Sequence, residues 1–182
     1  MRLIALPFLL AALLFAACGS DDPSDETAAT PTEAATEAPT ETPTEAAAPS
    51  GSVKVSGKVG EKPKIEVPGG DPPSDLVIKD IKKGHGPKAK PGQMVSVQYS
   101  GVLFSSGEPF DNSYDRGEPF SFPLGGGQVI PGWDQGLVGM QKGGRRVLTI
   151  PPDLAYGPNG SGPIGPDETL VFVVDMEEIS SP

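Results

Sequence analysis

Apolar and polar side chains alternate along several short stretches in the second half of the chain. The clearest stretches are Val95–Ser100 and Leu170–Glu177, in which at least every second residue is apolar. A period of two is typical of a β-strand with a buried face. Arg145–Ile150 is a third candidate strand, and Leu76–Ile78 and Ser121–Phe122 are shorter ones. Glycine and proline separate these runs, so the pattern predicts an antiparallel sheet with short turns.

One stretch, Gly132–Met140, has the spacing of a helix. Trp133, Leu137 and Met140 fall on one face at positions i, i+4 and i+7, and Pro131 suits the first helical turn. One short amphipathic helix with four to six strands predicts an α+β fold. We expect an antiparallel half barrel that wraps over the helix.

The beginning of the chain has a different pattern. Arg2 is followed by an apolar run over residues 3–15, and small residues then lead to Cys18. This order is typical of a secretory signal peptide, which we predict over residues 1–17. The apolar run is shorter than the roughly 20 residues that a membrane-spanning helix needs.

The segment ending in Cys18 resembles the bacterial lipoprotein box, although Phe15 stands where that box usually has leucine. The resemblance implies that Cys18, the single cysteine of the chain, is lipidated and anchors the protein to a membrane of the cell envelope. Two alternatives stay open. The signal peptide could be cleaved in the ordinary way with Cys18 incidental, or it could remain as an uncleaved anchor.

Residues 18–50 form a predicted tether. From Glu26 to Pro49 every residue is Thr, Glu, Ala or Pro, with five Glu and no basic side chain. Such a composition buries too little apolar surface to offset the entropy of ordering, so we expect disorder. Residues 51–74 alternate over short runs but contain several prolines, which predicts an extended lead-in. Residues 75–182 are long enough for one folded domain.

Composition excludes several classes of function. The chain has a net charge of −10, with 14 Lys and Arg against 24 Asp and Glu, which argues against nucleic-acid binding. One cysteine and one histidine exclude a disulfide framework and a multi-cysteine zinc site. The triple glycine at 125–127 lacks the Gly-Lys-Ser/Thr of a P-loop, so it indicates a turn. We expect neither a metal nor a cofactor.

Five ordered motifs carry a family resemblance: VQYSG at 97–101, PFDNS at 109–113, VIPGW at 129–133, IPPDLAYG at 150–157 and TLVF at 169–172. In this order they resemble the successive signatures of the FKBP-type peptidyl-prolyl cis-trans isomerases, the macrolide-binding immunophilins. The resemblance covers residues 76–179. The half barrel predicted above is also the fold that it implies.

The resemblance implies an apolar pocket between sheet and helix that holds a prolyl ring. The catalytic residues it implies are Tyr99, Phe110, Asp111, Trp133, Tyr156 and Phe172, and Phe120, Val129 and Ile130 would bind the substrate beside them. The Ile130 N–H and the Tyr156 hydroxyl would donate hydrogen bonds to ligand carbonyls, and Arg116 would pair with Asp111. Taken singly, each aromatic residue is more often part of a core, and Asp111 with Asn112 suits an Asx turn. Their ordered spacing favours the pocket.

The loop from Pro158 to Pro166 departs from the family pattern. It is about one residue shorter than in many relatives and has Asn159–Ser161 where an aromatic or imidazole group is usual. We expect Ile164 to supply the apolar contact of this loop with the substrate. The departure affects peptide preference and macrolide affinity rather than the pocket itself.

The resemblance implies isomerisation of X–Pro bonds by desolvation and twist of the prolyl amide, without a nucleophile. Together with the anchor, this predicts a monomeric, membrane-tethered lipoprotein that assists the folding of proline-containing proteins outside the cytoplasm. A macrolide is a possible inhibitor. The alternative is a non-catalytic peptide-binding or scaffold lipoprotein that uses the same pocket.

Overall fold

The computed structural model describes residues 52–180. The predicted signal peptide, Cys18 and the tether lie outside the described residues, and their boundaries stay predictions. Residues 52–180 contain ten strands, one α-helix and three 3-10 turns. The strands and the helix are β1 (Lys54–Ser56), β2 (Lys64–Glu66), β3 (Val77–Lys82), β4 (His85–Lys88), β5 (Met94–Leu103), β6 (Pro109–Asn112), β7 (Phe120–Pro123), α1 (Pro131–Gly136), β8 (Gln141–Lys142), β9 (Arg145–Ile150) and β10 (Leu170–Ser180). The 3-10 turns are Tyr114–Arg116, Pro152–Leu154 and Gly157–Asn159.

Six antiparallel strands make the main sheet, in the order β3-β9-β10-β5-β6, and β7 pairs with the first part of β5. The long strand β10 lies in the middle, where Phe172 is opposite Gly101 on one side and Leu148 on the other. The predicted α+β half barrel is confirmed. Within residues 52–180, no helix is long and apolar enough to cross a lipid bilayer.

Both faces of the central strands are buried. On β10, Phe172, Val174 and Met176 belong to the core between sheet and helix, whereas Val171 and Val173 belong to a second core on the opposite face. We call these the front face and the rear face. Successive side chains of a strand point to opposite faces, so the near-continuous apolar sequence of β10 indicates cover on both sides.

The helix α1 covers the front face at close range. A Cβ on Gly136 would lie 2.7 Å from Leu148 Cδ2, and a Cβ on Gly132 would overlap Ile150. The two glycines are four residues apart and therefore lie on one side of the helix. They allow α1 to approach β9 more closely than any side chain would permit.

The predicted helix over Gly132–Met140 is too long, because α1 ends at Gly136. The backbone of Ala89 explains the early end: its N–H donates to the carbonyl of Met140, and its carbonyl accepts from the N–H of Gly139. Gly139 also has φ 79°, a left-handed conformation that interrupts a helix. Met140 is nevertheless buried in the same core as Trp133, as the helical spacing predicted.

Arg146 on the front face holds the end of this segment. Its Nη1 donates to the carbonyls of Gly136 at 2.7 Å and Val138 at 3.1 Å, and its Nε donates to Asp80 Oδ1 at 2.6 Å. The last carbonyls of a helix have no partner within the helix. Arg146 therefore caps α1 and joins it to β3.

The rear face is covered by residues that the sequence predicted to be an extended lead-in. β1 and β2 form an antiparallel hairpin with Val55 opposite Ile65. The apolar side chains of this N-terminal hairpin pack against the rear-face residues Val102, Phe104, Val147, Val171 and Val173. Its own contributions are Val53, Val55, Ile65 and Val67. The prolines of this region lie outside the two strands, so they do not prevent the pairing.

A buried ion pair lies beneath the loop of the hairpin. Arg145 Nε and Nη2 donate to the two carboxylate oxygens of Asp175 at 2.6 and 2.7 Å, and each side chain is only 1% exposed. The hairpin supplies further partners: the carbonyls of Gly57 and Glu61 accept from Arg145, and the N–H of Gly60 donates to Asp175. The hairpin is thus a hydrogen-bonded part of the domain.

Candidate functional site

A cavity of about 190 Å³ opens between the front face of the sheet and α1. Nine of the predicted site residues line it: Tyr99, Phe110, Asp111, Phe120, Val129, Ile130, Trp133, Tyr156 and Phe172. They come from four strands, the segment before α1, the helix itself and the loop after the 3-10 turn Pro152–Leu154. The folding of the sheet therefore brings distant sequence motifs to one place.

Trp133 forms the floor of the pocket. The ring of Tyr99 meets the indole ring edge-on at a centroid distance of 5.0 Å, and the ring of Phe172 does so at 5.2 Å. Edge-to-face pairs of this kind favour a defined arrangement of the rings. The indole Nε1 is buried and has no hydrogen-bond partner in the described part of the chain.

Gly101 on β5 makes room for the aromatic wall. The rings of Phe110 and Phe172 meet at 5.4 Å and 90° beside it. A Cβ at this position would lie 2.6 Å from Phe110 Cζ and 2.8 Å from Phe172 Cε1, which is closer than van der Waals contact allows. Any larger residue at position 101 would push the two rings apart, which explains why a glycine ends the VQYSG motif.

The polar rim of the pocket is a group of three side chains. The Tyr99 hydroxyl donates to Asp111 Oδ2 at 2.5 Å and accepts from Arg116 Nη2 at 2.6 Å. Arg116 Nη1 donates to the other oxygen of Asp111 at 2.5 Å. The predicted pairing of Arg116 with Asp111 is thus present. The Asx-type hydrogen bond is made by Asn112 Oδ1, which accepts from the N–H of Asp115.

The rim carboxylate stays ionised at neutral pH. Burial acts to raise the pKa of Asp111, but the hydrogen bonds from Tyr99 and Arg116 outweigh it and hold that pKa below its usual value. Burial, followed by the hydrogen bond to Asp111, raises the pKa of Tyr99 to about 12. Neither group changes protonation near neutrality.

Asp134, a residue of α1, positions the segment that precedes the helix and lines the pocket. Its two carboxylate oxygens accept from the N–H groups of Gly125 and Gly127 at 2.8 and 2.9 Å. Both glycines have positive φ, which confirms that the triple glycine forms a turn. This turn leads directly to Gln128, which lines the cavity and which sequence reasoning missed. Its place next to Val129 was the available signal.

Ile164 is not among the residues that line the cavity. It is buried in the front-face core with an exposure of 7%. Two backbone hydrogen bonds of 2.9 Å join Ser161 and Ile164 in a tight turn, which holds the isoleucine inward. Its apolar packing in the structure is with the core, and its contact with a substrate stays a prediction.

The half barrel and its aromatic pocket define a class of α+β proteins with an apolar cavity between a curved sheet and a short helix. The model of the family described as FKBP-type peptidyl-prolyl cis-trans isomerase matches residues 86–177. The chain belongs to this family. The family binds proline-containing peptides and ligands of the FK506 type.

Related proteins agree with this assignment. The chain is 60% identical over 118 residues to an FK506-binding protein of Streptomyces anulatus, and the match covers 64% of this chain and 95% of that protein. It is 55% identical over 116 residues to a probable FK506-binding protein of Corynebacterium glutamicum, and this match covers 64% of this chain and 97% of that protein. Among solved structures, AtFKBP13 is 41% identical with a TM-score of 0.55, covering 59% of this chain and 94% of that one. FkpA from Escherichia coli is 47% identical with a TM-score of 0.54, and the match covers 58% of this chain and 48% of that one.

Proposed function

We propose that this chain catalyses cis-trans isomerisation of X–Pro bonds in polypeptides, and that it does so outside the cytoplasm. The observation that carries the catalytic proposal is the pocket itself. Aromatic rings close it on several sides, and its single carboxylate is already paired with Tyr99 and Arg116. Such a site offers shape and desolvation rather than a nucleophile or a base.

Rotation about an X–Pro bond is slow because the planar amide is stabilised by resonance, which gives a barrier of about 18–20 kcal/mol. A twisted amide has lost this resonance and is less polar than the planar ground state. An apolar pocket therefore binds the twisted form better than the planar one, which lowers the barrier. Lowering it by ~5.5 kcal/mol accelerates rotation about 10⁴-fold.

Two hydrogen-bond donors would hold the peptide while it twists. Ile130 and Tyr156 both line the cavity, and the donors would be the backbone N–H of Ile130 and the hydroxyl of Tyr156. Donation to the carbonyls beside proline would orient the peptide so that its prolyl amide lies within the apolar pocket, where the twisted form is favoured.

An isomerase assay tests the catalytic proposal. Purified residues 19–182 should accelerate the cis-trans exchange of an X–Pro tetrapeptide, measured by exchange NMR or by a coupled protease. Asp111→Ala should lower the rate. Asp153→Ala removes an exposed carboxylate outside the cavity and should leave the rate unchanged. Peptide binding without any acceleration would contradict catalysis and favour a peptide-binding scaffold.

We also propose that Cys18 carries a lipid that tethers the domain to a membrane of the cell envelope. The supporting observation is the position of this cysteine directly after the apolar run of residues 3–15 and the small residues that follow. Mass spectrometry of the cellular protein should find a mature chain that begins at a lipidated Cys18, and Cys18→Ala should abolish the modification. A freely soluble wild-type chain that begins elsewhere would contradict the anchor.

A further inference from the structure

The 3-10 turn Tyr114–Arg116 connects the front face of the sheet with the rear face. Arg116 points to the pocket, where it binds Asp111 and the Tyr99 hydroxyl. The other two side chains of the turn have different partners: Tyr114 reaches Asp175 on the rear face, and Asp115 reaches the N-terminal hairpin. Three consecutive residues thus join three separate parts of the domain.

The hydroxyl of Tyr114 donates to Asp175 Oδ2 at 2.9 Å. Asp175 is held in turn by Arg145 and by the N–H of Gly60 in the hairpin, at 2.6 to 2.7 Å. Burial, and then the charge of Asp175, raises the pKa of Tyr114, so the phenol remains a donor. The turn is therefore fixed to a carboxylate that cannot move without breaking the buried ion pair.

Asp115 makes the second attachment. Lys62 Nζ lies 2.6 Å from Asp115 Oδ2, and the same oxygen accepts from Asn112 Nδ2 at 2.9 Å. The pair is exposed, so it contributes less than the buried contact of Tyr114. It nevertheless fixes the turn to the hairpin at a second point.

The position of Arg116 depends on these attachments. Its side chain is half exposed and is held by its two hydrogen-bond partners at the rim. A long side chain that pairs at a surface loses rotamer freedom on doing so, and a backbone that already presents it correctly reduces that loss. A turn that shifts by a fraction of an ångström would lengthen both hydrogen bonds at the rim.

Resting on the proposed function, we infer that Tyr114 is a positioning residue for the peptide pocket, and that the N-terminal hairpin supports the pocket through it. Tyr114 does not line the cavity, and its hydroxyl donates to Asp175. It holds the turn against Asp175, and the turn holds Arg116 on Asp111 and Tyr99. Lys62 assists from the hairpin. The hairpin precedes residues 86–177, the part of the chain that the family model matches.

Tyr114→Phe tests this inference and leaves Asp175 with its partners Arg145 and Gly60, so the domain should fold. Removal of one hydrogen bond should lower kcat/KM for an X–Pro peptide about three- to tenfold. Because the hydrogen bond from Arg116 lowers the pKa of Asp111, a displaced Arg116 should raise that pKa, read by ¹³C NMR of the Asp111 carboxylate. An unchanged Asp111 titration would overturn the inference, whether or not stability or activity falls.

The contribution of the hairpin needs a matched pair of variants. Lys62→Gln and Lys64→Gln each remove one positive charge from the hairpin, but Lys64 pairs with Glu66 inside the hairpin, at 3.0 Å. Lys62→Gln should raise the pKa of Asp111 by more than Lys64→Gln does. Equal shifts would overturn the role of the hairpin. The NMR titration needs no turnover, so an inactive wild type would refute the proposed function while these titrations still decide the positioning role.

Discussion

Arg145 and Arg146 are neighbours in β9, but their guanidinium groups lie on opposite faces of the sheet. Arg145 binds Asp175 and the hairpin carbonyls on the rear face, and Arg146 binds Asp80 and the end of α1 on the front face. The alternation of a strand explains the division. Each arginine attaches one accessory element to the same strand, and the two attachments make separate predictions.

Arg145→Met should destabilise the domain by about 3–5 kcal/mol, because it leaves the carboxylate of Asp175 buried without its charge partner. Urea unfolding followed by Trp133 fluorescence measures the change. The double variant Arg145→Met with Asp175→Leu should recover part of the loss, since no unpaired charge remains. A double variant less stable than the single one would contradict the assignment.

Arg146→Met should destabilise by about 1–3 kcal/mol, because the carbonyls of Gly136 and Val138 lose a buried donor. The same change should weaken peptide binding, since α1 carries the pocket floor. Calorimetric titration of an X–Pro peptide measures the affinity. Lys142→Met, at an exposed position of β8, is the control. Equal affinities of both variants would show that α1 is held in place without Arg146.

Substitutions at the rim and at the floor of the pocket should have different effects on stability. Tyr156→Phe removes a hydroxyl from a side chain that is 39% exposed, so it should lower kcat/KM with little change in Tm. Trp133→Ala and Phe172→Ala empty part of the core and should cost about 3–5 kcal/mol in addition. Thermal melting measures the loss of stability and the isomerase assay measures the loss of kcat/KM, so together they separate the two effects. Similar melting losses in both classes would place Tyr156 in the core.

The pH dependence of catalysis should be flat from about pH 5.5 to 8.5, because Asp111 titrates below its ordinary range near 4 and the pKa of Tyr99 is raised to about 12. For stability, a lowered folded-state pKa of Asp111 contributes above the unfolded value and is lost as the pH falls through the folded value. Acid destabilisation from this group should thus begin only below about pH 4. Tyr99→Phe removes a donor to Asp111, so it should raise the folded-state pKa of that carboxyl and reduce the stability that it contributes above about pH 4.

Measurements of kcat/KM across this pH range, and in deuterated as well as ordinary water, check the prediction that catalysis does not depend on pH. The isotope effect should be small, because no proton moves in the slow step. A bell-shaped profile centred near neutrality would indicate general acid–base catalysis instead.

Much of the fold was predictable from alternation along single strands. Arg145–Ile150 is a strand with the predicted bounds, and the apolar periodicity of Leu170–Glu177 lies within β10. These are local signals. The rear hairpin was not predicted, because the apolar residues it covers are distant in sequence. The available indication was the near-continuous apolar sequence of β10, in which Val171 and Val173 are as apolar as Val174. A strand with such a sequence is covered on both faces.

Two differences between prediction and structure have distinct causes, one long-range and one local. The helix ends early because Ala89 binds the backbone of Gly139 and Met140, a contact across fifty residues of chain. Ile164 turns into the core because of its hydrogen bonds with Ser161, and a loop's direction cannot be inferred from the apolar character of one residue. Nine of the ten predicted pocket residues line the cavity. The ordered motifs indicated the family fold, and the pairing of strands in that fold brings these residues together.

The rear hairpin also determines where mechanical tension enters the domain. A pull on the chain ahead of Val53 acts first on β1, which is joined to β2 by three residue pairs, whereas β5 and β10 share ten. Peeling breaks a few bonds at a time, so the hairpin would detach while the strands that carry the pocket remain intact. Gly60 would then release Asp175, and Lys62 would release Asp115. Under load, the pocket would lose its rear support before any of its own strands yields.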